Sequence, residues 1–367
     1  MKCVNRVLFF NLIFVMSQFF ASAQTTNLPD IPTFKLFLVG DAGEGDTTNA
    51  TLRDLKYKLS ENPNSAVVFL GDNCYVKSLW GLLRFSYGGY DGSIKAQNRI
   101  MAQLNILRGY GGFAYFIPGN HDWWNHTNLR RGKKRLLQEQ QFIEDSLKKF
   151  STILNCDSGT FIPTNGDPGP VFKEFNGGKT RIIFIDTYRL IVEEWGKPGR
   201  ENPVLNKFYK ELKAQLTEGT HKHQKIIVVA HHPIHAKGKH ALPVVFWERL
   251  NRRFGDSNTN YPPYNRMAQH LDSLLKEHHH PDIYYVSGHE HSLEYFYNDS
   301  LHYLISGAGS KVDNVTYKEV DNEKEYLIWN EEGFFEIDFY GRFEKVIMYH
   351  RKDDKSELKV HCLAGCN

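Results

Sequence analysis

Six short apolar segments constrain the fold of this chain more than any other feature of its sequence. They lie at residues 34–39, 67–70, 113–117, 181–185, 226–229 and 283–286, and their length and β-rich composition are typical of strands buried on both faces. Between several of them the apolar residues recur with helical periodicity. The helical faces are formed by Leu136, Ile143, Leu147 and Phe150, by Phe208, Leu212 and Leu216, and by Met267, Leu271, Leu274 and Leu275. Strands that alternate with helices predict a largely parallel core.

The pattern changes after residue 290. The segments at 293–309 and 334–349 each contain two strand-like halves around a turn, at residues 298–300 in the first and 340–341 in the second. Such segments predict β-hairpins, so antiparallel strands are expected to close the chain. The predicted fold is therefore α/β, a mixed sandwich in one domain.

The amino-terminal residues have the pattern of a secretory signal peptide. Lys2 and Arg6 form a short basic start, residues 7–20 are almost wholly apolar, and Ala-Ser-Ala at 21–23 offers a cleavage site before Gln24. We predict a signal peptide at residues 1–23, a single domain at 24–367, and a secreted or periplasmic protein. No later segment approaches the roughly 20 apolar residues of a membrane helix, so no membrane span is expected in the mature chain.

The charge of the chain gives no reason to expect a nucleic-acid partner. The formal net charge is +3, and it falls to +1 without Lys2 and Arg6, because no acidic residue precedes Asp30. Nucleic-acid binding requires a concentrated basic face. Apolar residues make up 41% of the sequence and aromatic residues 14%, which indicates a globular protein rather than a disordered one.

The cysteines permit disulfides in an oxidising compartment but do not form a cystine scaffold. Beyond residue 23 they are Cys74, Cys156, Cys362 and Cys366, too few for a chain of this size to depend on them. Cys362 and Cys366 lie close enough in sequence to pair locally. They could equally belong to a frayed end, so the pairing is left open.

Five of the six predicted strands end in polar residues of one chemical kind. The strand ends read VGDAGEGD (39–46), LGDNCY (70–75), IPGNHDWW (117–124), VVAHHP (228–233) and VSGHEH (286–291). A Gly-Asp pair after a strand is by itself usually a turn. In α/β sheets, however, the loops at the carboxyl ends of the strands converge on one crevice. Asp, Asn, His and Tyr side chains that meet there form a ligand set for hard to borderline metal ions.

These motifs, in this order, resemble those of the purple acid phosphatases among the calcineurin-like metallophosphoesterases. The pattern is Asp-x-Gly, Gly-Asp-x-x-Tyr, Gly-Asn-His-Asp/Glu, Val-x-x-His and Gly-His-x-His, and it extends over residues 33–310. The flanking sequences GDNCY, HHPIHAKGKH and GHEHSLEYF are most similar to the small, tartrate-resistant acid phosphatase type. The resemblance implies a four-layer αββα sandwich of mixed sheets.

The resemblance also implies a centre of two metal ions. It assigns three ligands to an Fe(III), three to a divalent Fe, Zn or Mn, and one that bridges both. The predicted Fe(III) ligands are Asp41, Tyr75 and His291. The predicted ligands of the divalent ion are Asn120, His231 and His289, and the predicted bridge is Asp72. Two cations about 3.5–4 Å apart can clamp a phosphate and lower the pKa of a bound water towards neutrality.

Three further residues are predicted to assist catalysis. His121 is placed to stabilise the phosphoryl oxygens or to protonate the leaving alkoxide. His240 matches a second pocket histidine of the small relatives, and Asp122 is expected to orient His121 or a metal ligand. Trp123 and Trp124 are candidates for lining the mouth of the pocket. Alternatively, one of the two belongs to the core.

The surroundings of the site are less informative. Residues 80–94 and 189–206 are predicted to be loops at the rim, which would influence the choice of substrate. The chain beyond residue 311 is expected to form the edge of a sheet and shows no recognisable motif.

The expected function is a secreted acid phosphatase that hydrolyses phosphate monoesters of a small substrate or a phosphoprotein. A phosphodiesterase or nucleotide pyrophosphatase with the same metal centre is the alternative, since a metal clamp does not distinguish monoesters from diesters. A non-catalytic metal-binding or phosphate-binding protein is a third possibility. His121 argues against it, because binding phosphate does not require a proton donor.

Overall fold

The six apolar segments all form strands, and these lie in two mixed sheets. The structure is a computed structural model that describes residues 31–77, 87–123, 129–150, 160–195, 201–241, 262–278, 283–298, 301–313, 327–341, 343–353 and 355–365. The predicted signal peptide lies outside these residues, so it stays a prediction. Residues Pro32–Asn367 form one compact unit.

The secondary-structure elements are numbered here in chain order. The strands are β1 (Phe34–Val39), β2 (Ser65–Phe69), β3 (Val76–Lys77), β4 (Tyr87–Gly88), β5 (Phe113–Phe116), β6 (Val171–Phe175), β7 (Thr180–Phe184), β8 (Lys225–Val229), β9 (Ile283–Ser287), β10 (Leu293–Asn298), β11 (Leu301–Ser306), β12 (Leu327–Trp329), β13 (Glu332–Phe339), β14 (Glu344–Arg351) and β15 (Lys359–Ala364). The α-helices are α1 (Ala50–Glu61), α2 (Ile94–Ile106), α3 (Asn120–Trp123), α4 (Leu129–Phe150), α5 (Thr187–Glu194), α6 (Pro203–His221) and α7 (Pro262–Glu277).

Each sheet has a parallel part that carries the site loops and an antiparallel part at its edge. The first sheet has the order β15-β14-β13-β1-β2-β5, with parallel pairing between β1, β2 and β5. The second has the order β12-β10-β11-β9-β8-β7-β6, with parallel pairing from β11 through β9 and β8 to β7. The predicted hairpins are present as β10–β11 and β13–β14.

The alternation of side chains along the strands produces the layers. In β1, Leu36 and Leu38 belong to the core between the two sheets, whereas Phe37 packs on the opposite face against helices α1, α2 and α4. In β8, Ile227 faces the core between the sheets and Ile226 faces the helices α5, α6 and α7. Successive residues of a strand point to opposite faces, so continuous apolar strands require cover on both sides. The structure confirms the mixed α/β sandwich.

Local capping explains where several helices begin. Asn49 and Ser93 accept hydrogen bonds from the backbone N–H groups of Leu52 and Ala96, which starts α1 and α2. Asn202 does the same for α6, with Pro203 at the first helical position. These residues satisfy N–H groups that have no partner within the helix.

One predicted rim loop is wrong in its extent. Residues 189–194 belong to α5 and residues 203–206 belong to α6. Asp186 caps α5 by accepting a hydrogen bond from the Arg189 N–H, and Leu190 and Ile191 pack in the core beneath the second sheet. This helix is short and amphipathic, and its burial outweighs the polar character of the sequence. In the other predicted rim segment, residues 80–86 lie outside the described part of the chain.

The two described cysteines beyond the predicted signal peptide differ in their bonding. Cys74 is a buried free cysteine, and Cys362 is disulfide-bonded. Cys366 lies outside the described residues, so the structure does not decide between local pairing of the two and a frayed end. Within the described ranges, no helix has the length and apolarity needed to cross a membrane.

Candidate metal centre

The polar strand ends of both sheets converge on one crevice. Loops from β1, β2 and β5 in the first sheet meet loops from β8 and β9 in the second. Backbone hydrogen bonds join the two sheets here, from Gly40 N to Ser306 O at 2.6 Å and from Gly309 N to Gly40 O at 3.0 Å. A side-chain contact also crosses between the sheets, with His231 Nδ1 2.8 Å from Leu70 O. The two sheets therefore build a single site.

The first group of side chains surrounds the hydroxyl of Tyr75. This hydroxyl lies 2.7 Å from Asp41 Oδ1, 2.8 Å from Asp72 Oδ2 and 3.3 Å from His291 Nε2. One phenolic proton cannot serve all three acceptors. Burial, followed by the charges of Asp41 and Asp72, raises the pKa of Tyr75 well above its ordinary value. A phenolate in this buried pocket therefore requires a cation beside it.

The second group brings one amide oxygen and two imidazole nitrogens together. Asn120 Oδ1 lies 3.0 Å from His231 Nε2 and 3.2 Å from His289 Nδ1, and these two nitrogens are 3.3 Å apart. His231 Nδ1 donates to Leu70 O, so Nε2 of the neutral ring carries a lone pair. That lone pair points at the oxygen of Asn120. Buried lone pairs that converge in this way fit a metal ion.

Asp72 lies between the two groups. Its Oδ2 accepts from Tyr75 in the first group, and its Oδ1 lies 3.4 Å from His231 Nε2 in the second. Burial opposes ionisation, but His231 and His121 lower the pKa of Asp72 below its ordinary value. The carboxylate is therefore charged, and each of its oxygens faces one group. This is the position that a bridging ligand requires.

The two groups differ in charge. The first contains the carboxylate of Asp41 and the phenol of Tyr75, and Asp313 lies 2.7 Å from the outer nitrogen of His291. Although burial opposes protonation, Asp313 and Asp41 raise the pKa of His291 to about 9. The second group contributes one amide and two imidazoles. A hard, highly charged ion suits the first group and a borderline divalent ion suits the second.

Three of the seven predicted ligands have a left-handed backbone. The φ angles of Asp41, Asp72 and His289 are 55°, 53° and 72°. This conformation is unfavourable for residues other than glycine and costs on the order of 1–3 kcal/mol each. The His289 N–H donates to Asp41 Oδ2 at 2.7 Å and the Asp41 N–H donates to Gly71 O at 3.1 Å. The ligands thus hold each other's backbone in place.

Gly119 and Gly288 lie so close to carboxylates of the site that neither position has room for a side chain. A Cβ at Gly119 would lie 2.3 Å from Asp72 Oδ1, and a Cβ at Gly288 would lie 2.6 Å from Asp41 Oδ2. Both distances are well below van der Waals contact. The glycines of the GN and GH motifs therefore make room for the carboxylates.

The sequence matches the family model for calcineurin-like phosphoesterases over residues 34–293. The chain belongs to this family. The match covers more than half of the 367 residues and includes all seven predicted ligands. No curated protein matches the sequence significantly.

Solved structures share the fold at low sequence identity. GAP50, the anchor in the inner membrane complex of Plasmodium, is 16% identical with a TM-score of 0.54, covering 90% of this chain and 88% of its own. PhoD is 9% identical with a TM-score of 0.53, covering 92% and 73%. A dimetal phosphatase from Danio rerio is 15% identical with a TM-score of 0.47, covering 90% and 98%. At such identities, the likenesses to GAP50 and PhoD show the fold alone.

Family membership and the side-chain clusters together indicate a dinuclear metal site in this phosphoesterase. Within each cluster, one ligand atom per residue lies within 4.8 Å of the others. The clusters are Asp41, Asp72 and His231; His231, His232 and His289; and His240, His291 and Asp313. The assignment of individual ligands and of the metals stays a prediction.

His121 and His240 lie beside the ligands on the more open side of the crevice. The His121 backbone N–H donates to Asp72 Oδ1 at 2.8 Å, and its Nε2 lies 3.9 Å from Asp72 Oδ2. The side chain of His121 is 27% exposed, against 2% for Asp72. The ring of His240 is half-buried and lies 4.8 Å from that of His289. Both histidines are therefore placed to meet a substrate.

Asp122 lies beneath the metal ligands rather than beside a substrate. It is fully buried, and its carboxylate accepts from the backbone N–H groups of Asp72, Asn73 and Gly119 at 2.9, 2.9 and 2.7 Å. Of the two tasks predicted for it, this contact favours orienting a ligand, Asp72, over orienting His121. Burial raises the pKa of Asp122 and that of the adjacent Glu139, the latter to about 8.

Several residues of the site were missed by the sequence analysis. Buried Glu290 accepts from the His240 N–H at 3.0 Å, and buried Glu294 accepts from the Lys237 N–H at 3.0 Å, so both hold the loop that carries His240. The available signal was Glu294, an acidic residue beside the apolar residues of β10. Asp313 lies in the part of the chain that showed no motif, and no sequence signal indicated its contact with His291.

One of the two tryptophans belongs to the core, which is one of the two alternatives that the sequence left open. Trp123 is fully buried in the core, and its indole N–H donates to Asp186 Oδ2 at 2.9 Å. Trp124 lies outside the described residues.

The close approach at Gly119 leads to a first prediction. In Gly119→Ala, the new Cβ meets Asp72, so we expect the carboxylate to move and both metal ions to be depleted after dialysis. Gly111→Ala is the matched control, because the nearest atom to its Cβ is 3.8 Å away. Elemental analysis of both variants, with circular dichroism to confirm folding, measures the effect. Full metal content in a folded Gly119→Ala protein would contradict the geometry.

Proposed function

We propose that this phosphoesterase is a secreted acid phosphatase of the purple acid phosphatase type, with Fe(III) and a divalent Fe, Zn or Mn ion. One observation carries the proposal. The hydroxyl of Tyr75 lies between the carboxylates of Asp41 and Asp72 at 2.7 and 2.8 Å, inside the predicted metal centre. A phenolate is a suitable partner for a hard, oxidised ion. The concentration of negative charge in the first group supports a trivalent ion there.

The metal ions and the side chains of the site have different roles in the proposed hydrolysis. When bound, the two ions supply Lewis acidity towards the phosphate and acidify a water, and a trivalent ion preserves this effect at acidic pH. Asp72 fixes the spacing of the two groups. His121 lies against Tyr75 at 4.8 Å between ring centroids, and His240 lies against His289 at 4.8 Å.

His121 is the proposed proton donor to the leaving group. Its side chain is partly exposed, and its backbone is fixed by the hydrogen bond to Asp72. A histidine in this position can protonate an alkoxide or stabilise the phosphoryl oxygens. His240 is also proposed to contact the substrate, since Glu290 and Glu294 hold its loop at the site.

The substrate is proposed to be a small phosphorylated molecule or a phosphoprotein. The proposal that the protein is exported rests on residues 1–23, whose sequence is typical of a signal peptide. No nucleic-acid partner is expected. A phosphodiesterase or nucleotide pyrophosphatase remains the second candidate, since the family description is phosphoesterase. A non-catalytic binding protein is disfavoured by the partly exposed His121 beside the predicted bridge.

Turnover on three substrate classes tests the proposal. We expect kcat/KM for an aryl phosphate monoester to exceed that for the matched diester and for a nucleoside diphosphate, with the highest values at acidic pH. The metal-loaded wild-type enzyme and Asp72→Asn are compared under the same conditions, because loss of the bridging charge should remove most activity. A preference for the diester would establish the alternative, and turnover equal in both proteins would exclude the metal centre as the site.

His121→Ala tests the proton donor. We expect both metals to be retained and kcat to fall by roughly 10²–10⁴, the range typical of a positioned acid or base. The loss should be smaller for an activated aryl phosphate than for an alkyl phosphate, because a good leaving group needs little protonation. His235→Ala is the control, since His235 contacts Asp272. If kcat fell equally for both esters, the role of His121 would be phosphate binding.

Tyr75→Phe tests the first metal ligand by colour. A phenolate bound to Fe(III) gives a visible charge-transfer band, so the oxidised protein should be pink to purple and Tyr75→Phe should lose the band. Iron itself can persist in the variant, because three other predicted ligands remain. Tyr110→Phe removes a buried hydroxyl that contacts Ser65 and should keep the colour. A colourless, fully active wild-type protein with stoichiometric Fe(III) would show that Tyr75 is not a ligand.

A further inference from the structure

We propose that Asp313 is a positioning residue that fixes the ring orientation and the proton position of His291. The inference rests on the proposed metal centre, in which His291 is a ligand of the first ion. It assigns a role to a residue in the carboxyl-terminal part of the chain, where the sequence showed no motif.

Two hydrogen bonds connect Asp313 to His291. The side chains meet at 2.7 Å between His291 Nδ1 and Asp313 Oδ2, and the Asp313 N–H donates to the His291 carbonyl at 3.0 Å. Backbone and side chain are therefore both paired. The ring of His291 is buried, so its rotation is restricted by packing as well as by the carboxylate.

The side-chain bond decides which nitrogen is available to a metal ion. Because Nδ1 donates its proton to the carboxylate, Nε2 carries the lone pair in the neutral ring. Nε2 lies 3.3 Å from the hydroxyl of Tyr75 and 3.6 Å from Asp41 Oδ1, among the other predicted ligands of the first ion. A carboxylate on the outer nitrogen also makes a ligand histidine more basic, and its loss typically costs 10–100-fold in metal affinity.

Lys239 contacts the same carboxylate from the rim of the site. Its Nζ lies 3.1 Å from Asp313 Oδ1, so both oxygens of the carboxylate are engaged. The side chain of Lys239 is 61% exposed, and an exposed ion pair of this kind contributes little by itself. Lys239 thus offers a control that removes a contact of Asp313 without removing the bond to His291.

A third cation is the competing explanation for this cluster. His240, His291 and Asp313 each offer a ligand atom within 4.8 Å of the others. The distance of 2.7 Å from His291 Nδ1 to Asp313 Oδ2 is that of a charge-assisted hydrogen bond with a proton between the atoms. We therefore favour the positioning role, and the stoichiometry of bound metal distinguishes the two.

Metal competition on three variants of the full-length protein tests the proposal. Zn²⁺ alone is titrated in the presence of a chromophoric chelator into wild type, Asp313→Asn, Asp313→Leu and Lys239→Gln. We expect two equivalents in the wild type and a 10–100-fold loss of affinity at one site in Asp313→Leu. Asp313→Asn should lose less, because its amide oxygen still accepts the Nδ1 proton. Lys239→Gln should bind as the wild type does.

Histidine NMR provides a readout that a merely structural role would not change. In the ¹⁵N-labelled, Zn²⁺-loaded protein, His291 should show a protonated Nδ1 in the wild type, in Lys239→Gln and in Asp313→Asn. This signal should exchange rapidly or disappear in Asp313→Leu. If Asp313→Leu does not fold, the Zn²⁺ titration is compared between wild type and Asp313→Asn. The smaller loss of Zn²⁺ affinity expected for Asp313→Asn then tests the proposal.

Three results would overturn the proposal: equal Zn²⁺ affinity in all folded variants, an unprotonated Nδ1 in the loaded wild type, or a third equivalent lost with Asp313. None of these measurements uses a substrate. A protein that lacked phosphatase activity would therefore refute the proposed function and leave the role of Asp313 to be decided by metal binding.

Discussion

The buried carboxylate of Asp72 is the feature on which the rest of the site depends. It is 2% exposed and carries a negative charge between a phenol on one side and an imidazole on the other. A buried charge without compensation is costly, so the surrounding chain must hold both the carboxylate and the cations that it attracts. The left-handed backbone, the absence of a Cβ at Gly119 and the contact with Asp122 all serve this position.

The asymmetry around Asp72 connects the geometry to the proposed chemistry. Carboxylate and phenol oxygens collect on the side of Asp41, whereas amide and imidazole donors collect on the side of Asn120. Two ions of unequal charge would polarise a phosphate and a water differently. The partly exposed His121 lies beside the carboxylate that separates the two groups, which is the position that the proposed proton donor requires.

Carboxylates outside the ligand set fix the loops of the site. Asp122 holds the backbone around Asp72, Glu290 holds the backbone at His240, and Asp313 holds His291. Each accepts hydrogen bonds from N–H groups in the loops of the site, from the backbone for Asp122 and Glu290 and from the imidazole ring for Asp313. Loops have few apolar contacts to define their conformation. The precision of the site therefore depends on these hydrogen bonds as much as on the sheets.

The sequence alone determined the strands and the list of converging residues. Continuous apolar runs required burial on both faces, and a parallel core placed the motifs after β1, β2, β5, β8 and β9 at one edge. Apolar periodicity did not reveal that α5 replaces part of a predicted rim loop. This helix depends on the Asp186 cap and on the burial of Leu190 and Ile191.

Only the tertiary structure decided the pairing within the site. That Asp72 faces both groups and that Asp313 reaches His291 depends on side-chain contacts between distant segments. Sequence spacing does not encode such contacts, because they follow from how the two sheets pack.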